Sequence, residues 1–183
     1  MNTKTIIGAL VGAILLFVWQ FLSWGVAKFH AGEQQYTVQQ DTILSVLSEK
    51  LEEGTYFLPN VPPGADQAAY EQYRKESGGK PWAVVSYHKS METDMTMNMV
   101  RAFVSDLLAV IFLIWILTSV RDLNFAKSII FSLAIGMIGF LSVTYLNTIW
   151  FKIPALDDLI DVLASWGIIG AWLGWWLPRK SKA

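Results

Sequence analysis

No cysteine occurs among the 183 residues, which excludes disulfides, thiolate metal sites and cysteine nucleophiles. Charge is scarce as well: Asp, Glu, Lys and Arg make up 16% of the chain, where a soluble domain carries about 25%. The net charge is −1, so the basic footprint that nucleic acid demands is missing. There is no HExxH, no GxSxG, no Walker loop and no dinucleotide fingerprint. Glu52, Glu53 and Glu71 fall on polar helix faces with nothing to arrange them as a catalytic pair. The sequence therefore reads as non-enzymatic, with no cofactor and no nucleic-acid partner.

What the chain has in excess is apolar surface, 54% of its residues, gathered into four runs. Each run holds about 20 residues, the length a helix rising about 1.5 Å per residue needs to cross hydrocarbon. Lipid offers no water to backbone N–H and C=O groups, so such runs cross as helices. The expected fold is an all-α membrane protein: a four-helix transmembrane bundle with a small α+β extracytoplasmic cap. Its spans are 5–27, 101–120, 127–147 and 158–177, with the cap at 28–100, an interfacial loop at 148–157 and a tail at 178–183. Gly25, Val26 and Ala27 would serve as a signal cleavage site, but the apolar run before them is too long for an ordinary secretory signal. The first span reads as a signal-anchor.

Four crossings place Lys4, Arg121, Lys127, Arg179, Lys180 and Lys182 on one side, offset only by Asp122. The long segment 28–100 lies on the other, with ten acids against six bases. Lysine and arginine resist translocation, so both termini are expected in the cytoplasm and the cap outside it.

Small residues mark where helices approach. Gly8 and Gly12 form a GxxxG in the first span; Gly136 and Gly139 recur in the third, and Gly167, Gly170 and Gly174 in the fourth. Gln20 and Ser23 are expected to bond a neighbouring helix, because a bare amide in hydrocarbon is costly. Trp19 and Trp24, and at the other end Trp172, Trp175 and Trp176, read as interfacial belts. Within the cap, helices over 41–51 (Asp41 as N-cap, Gly54 as stop) and 65–76 alternate with strands at 55–58 and 82–87.

Two groups of residues offer chemistry. Asp106 and Asp161, each inside a span, could meet and hold a cation or relay protons; equally they could cap helices, with Arg101 beside Asp106 as its partner. His88, Met91, Met95 and Met99 fall on one stripe if helical, a soft donor set suited to Cu(I); the same methionines could simply pack. His30, just past the first span, reads as an interfacial side chain.

Phe17-Val18-Trp19-Gln20-Phe21-Leu22-Ser23-Trp24, then Phe29-His30, then Gly54-Thr55-Tyr56-Phe57-Leu58-Pro59, resemble an uncharacterised family of small four-span bacterial inner-membrane proteins. That likeness implies a signal-anchor, a periplasmic insert after the first span and three further spans, and transfers no catalytic residue. Two functions remain open at this point. One is a non-catalytic inner-membrane accessory protein that docks a larger assembly, or a second copy of itself, within the bilayer. The other is a small-molecule handler: a transporter, a lipid-binding protein or a periplasmic copper-binding protein.

Overall fold

The computed structural model describes residues 3–178; the tail bases Arg179, Lys180 and Lys182 lie outside them. The chain divides into two compact units, Tyr36–Thr93 and the stretches that precede and follow it.

The larger unit is built from α1 (Thr3–Phe21), α4 (Thr96–Thr118), α5 (Phe125–Gly139), α6 (Tyr145–Phe151) and α7 (Leu156–Trp176). None of the six prolines interrupts them, as helix interiors require. A π-helical stretch at Leu22–Ala27 prolongs α1, and another at Phe140–Thr144 joins α5 to α6. Four helical stretches are thereby long and apolar enough to cross a membrane: Thr3–Ala27, Thr96–Thr118, Phe125–Phe151 and Leu156–Trp176. The third runs to Phe151, where Lys152 takes a left-handed conformation and ends it. The connection to α7 is therefore shorter than the loop expected at 148–157.

Neighbouring helices run antiparallel. Gly12 of α1 meets Val110 of α4, and nearer the other end Gln20 meets Asp106. Along α1 and α7, Trp176 donates its indole N–H to the Lys4 carbonyl at 2.8 Å and Trp172 donates to that of Gly8 at 3.0 Å. Two of the three tryptophans read as the belt at this end thus give their indole N–H groups to α1. Ala9, Leu16, Val110, Leu113, Ile114, Leu117, Ile169 and Leu173 form the apolar core.

Between α5 and α7, Ser128, Ser132 and Gly136 face Gly174, Gly170 and Trp166. A Cβ on Gly170 would stand 2.8 Å from the Ile129 Cα, and one on Gly136 would stand 2.5 Å from the Trp166 ring. Ser128 Oγ donates to the Gly170 carbonyl across this seam at 2.8 Å. Both rows step by four residues, the ridge along which helices interlock. Gly139 and Gly167 sit one residue off those rows: nothing lies within 4 Å of a Cβ on Gly139, and only the Leu133 side chain approaches Gly167. Of the seven glycines expected at helix contacts, these two are not close-packed.

The smaller unit holds α2 (Gln40–Lys50), β1 (Gly54–Leu58), α3 (Gln67–Ser77) and β2 (Ala83–Tyr87) in the order expected for the cap. The strands pair antiparallel, Gly54 opposite Tyr87 and Leu58 opposite Ala83. Phe57 stacks on Trp82, and Asp66 caps α3 through the Ala69 N–H. Asp41 lies in the first turn of α2 rather than at its cap, and Gly54 opens β1 instead of stopping the helix.

Candidate functional site

The densest polar arrangement of the larger unit forms where α1 finishes and α7 begins. Beyond α1, the π-helical stretch carries Ser23 and Trp24, and such turns recur at functional positions. Lys28 then adopts φ 54°, which turns the chain back into a short 3₁₀ turn, Phe29–Gly32. His30 is brought face to face with Trp24, ring centroids 4.0 Å apart and 6° from parallel, and is left 4% exposed. The start of α7 contributes Asp157 and Asp158 in its first turn, where the helix dipole favours acids. Asp161 follows one turn later.

Asp161 is held from three directions. Its Oδ1 accepts from Ser23 Oγ at 2.7 Å and from Trp19 Nε1 at 3.1 Å. Its Oδ2 meets His30 Nε2 at 3.0 Å. The other ring nitrogen, Nδ1, lies 2.7 Å from Glu33 Oε1. Burial opposes charge on His30, but the hydrogen bonds and charges of Asp161 and Glu33 outweigh it and raise the pKa above the ordinary 6.5. A carboxylate against each nitrogen calls for N–H on both, which is the imidazolium. Asp158 lies in the field of Glu33, Asp161 and Asp157, with His30 opposing them. One ligand atom each from His30, Glu33 and Asp158 falls within 4.8 Å of the others. Three carboxylates thus converge on one buried ring.

The raised pKa has a measurable sign. The stability that His30 gains from its partners is complete below pH 6.5 and fades as pH rises through the folded-state value. An NMR titration should place the His30 midpoint above 6.5, with Asp161→Asn bringing it down; a midpoint at or below 6.5 in the wild type contradicts the arrangement.

Asp106 occupies a different place. It is 7% exposed, its Oδ1 accepts from Gln20 Nε2 at 2.9 Å, and among the described residues Oδ2 has no hydrogen-bond partner. Arg101 is exposed and is not that partner. Gln20 does bond a neighbouring helix, as does Ser23. Asp106 and Asp161 do not bond each other; each is tied to α1, through different residues. Gln20→Ala should therefore destabilise the protein by about 1–3 kcal/mol, because it strips the one donor from a buried carboxyl. Asp106→Asn should cost less than that in the same detergent unfolding measurement, and the reverse order would contradict this pairing.

The methionine run is not a helical stripe. Residues 88–95 are irregular and α4 starts at Thr96, so no common helix carries His88, Met91, Met95 and Met99. Within the smaller unit, His88 Nδ1 lies 3.2 Å from Glu53 and Met91 is 91% exposed, beside an open groove of about 780 Å³ that also touches Leu44, Leu47 and Tyr87. Met95 and Met99 are exposed at the start of the larger unit's α4.

The sequence marks His30 only as an interfacial side chain and does not bring Glu33 or Asp158 to it. A usable signal was present: His30 and Glu33 are three residues apart just past the first span, and Asp157, Asp158 and Asp161 crowd the beginning of the last. Antiparallel packing of those two helices brings the two groups together.

The four apolar helices fit a multi-pass membrane protein. No family model, no curated protein and no solved structure matches the chain.

Proposed function

We propose that this is a non-catalytic, multi-pass protein of the bacterial inner membrane that handles a cation at the periplasmic end of its helix bundle. The carrying observation is the convergence of Glu33, Asp158 and Asp161 on a buried His30. Acids gathered at the end of a membrane bundle leave an excess of negative charge, and that excess is what a cation neutralises. The alternative of docking a larger assembly rests on apolar helix faces that lipid alone would also cover, whereas the polar cluster supports the cation reading. The sidedness follows from Lys4, Arg121 and Lys127, which gather at the opposite ends of the spans.

Two measurements test the proposal. Reporter fusions in the Arg121–Lys127 hairpin should register cytoplasm, and one near Gly78 the far side. Melting of the purified protein in detergent against a panel of monovalent and divalent cations should rise by several degrees for at least one of them, since a ligand that binds only the folded state stabilises it. A flat panel removes the cation-handling proposal, and a cytoplasmic Gly78 fusion removes its orientation.

A further inference from the structure

Resting on that cation-handling reading, the geometry points to a divalent transition-metal site with His30 Nδ1, Glu33 and Asp158 as ligands and Asp161 as the carboxylate that orients the histidine.

The donor set is the first argument. Once a metal displaces the Nδ1 proton to solvent, the neutral imidazole nitrogen suits zinc and its neighbours in the first transition row, and two carboxylates bring the ligands to three of the four positions of a tetrahedral site. The ligand atoms of the three residues already lie within 4.8 Å of one another, close enough for small rotamer changes to bring them onto a shared ion at about 2.0–2.2 Å. Calcium and magnesium, which take oxygen ligands, make no use of the ring.

The second argument is the way the histidine is fixed. A metal-binding histidine characteristically gives its other N–H to a carboxylate, which sets tautomer and ring direction. His30 Nε2 meets Asp161 in that manner at 3.0 Å. Asp161 is in turn immobilised by Trp19 and Ser23, and the ring is clamped flat against Trp24. With Nε2 committed, Nδ1 is the nitrogen left to face Glu33, and a carboxylate oxygen of Asp158 lies within 4.8 Å of the ligand atoms of both residues. This is more than an acidic patch: a nine-tenths-buried ring has one nitrogen tied back and the other against Glu33, with Asp158 of a separate segment within 4.8 Å.

A metal there would tie the stretch after the first span to the start of the last. The site differs from the methionine stripe considered for Cu(I), both in place and in the hardness of its donors.

The test uses the full chain in detergent, prepared without a polyhistidine tag, and titrates Zn²⁺ and, separately, Ca²⁺ by calorimetry with metal content checked by mass spectrometry. The expected result is one high-affinity Zn²⁺ per chain. His30→Ala should abolish it, Glu33→Gln and Asp158→Asn should each weaken it at least tenfold, and Asp161→Asn should weaken it by about 10–100-fold. Glu33→Gln preserves shape, so it stays informative if His30→Ala misfolds. His88→Ala, at the other histidine, should leave affinity and stoichiometry unchanged. Zn²⁺ binding that survives both His30→Ala and Glu33→Gln overturns the assignment. Binding of Ca²⁺ but not Zn²⁺ at these carboxylates overturns it while the cation-handling reading stands; binding of no cation overturns both.

Discussion

Asp161→Ala is expected to cost about 3 kcal/mol of stability in detergent, at the lower edge of what removing one partner of a buried charged network costs. The magnitude comes from what the substitution leaves behind. Trp19 Nε1, Ser23 Oγ and His30 Nε2 all converge on this carboxylate, so a single change strands three donors. Ser23 and His30 are buried, and water cannot simply replace the lost acceptor. Asp157→Ala removes the same charge from the same helix start and should cost only about 0.3–1 kcal/mol, the scale of a dipole interaction. Equal losses for the two would mean that charge near the end of α7, and not this bonded geometry, is what matters.

The second large effect belongs to the seam between α5 and α7. Gly170→Ala adds one methyl group, yet places it 2.8 Å from the Ile129 Cα and 2.9 Å from the Ser132 Cβ. Neither neighbour is the far end of a flexible chain, so the helices must separate. Overpacking of that kind costs about 1–3 kcal/mol. Separation would also stretch the Ser128 Oγ bond to the Gly170 carbonyl, which places the expectation in the upper half of that range. Gly139→Ala is the matched comparison, because nothing lies within 4 Å of the added atom. Unfolding of both variants beside the wild type should show a large loss for the first and little change for the second. A tolerated Gly170→Ala would mean that the two helices do not approach as closely as described.

Several features were legible in the residues alone because each has a local cause. Length and apolarity announce the four helices without reference to anything else in the chain. The cap order, two helices alternating with two strands, follows from proline, glycine and β-prone runs. Gln20 and Ser23 could be read as bonded because hydrocarbon leaves a polar group no other choice. What escaped depended on which side of a helix meets which neighbour. Gly139 and Gly167 look like Gly136 and Gly170 in composition, and only the four-residue row along each helix separates them. That Trp172 and Trp176 donate to α1 carbonyls is likewise invisible until α1 is placed beside them.

The cluster itself shows the same limit. His30 looked isolated because, beyond Glu33 three residues on, its acids are distant in sequence: Asp161 is 131 positions away. The left-handed Lys28 that folds the chain back onto Trp24 carries no strong compositional mark, since lysine is not a residue that favours that conformation. Met91, Met95 and Met99 erred in the opposite direction. Their spacing fits a helix, but the residues between Tyr87 and Thr96 do not form one.

His30 and Asp161 act as one unit at the junction of the first and last spans. A double-mutant cycle of His30→Ala and Asp161→Asn, read by unfolding in detergent, addresses it directly. Contact across a buried, charge-assisted hydrogen bond predicts a coupling of about 1–3 kcal/mol between the two substitutions. Effects that add to within about 0.3–0.5 kcal/mol, as those of distant sites do, would contradict it.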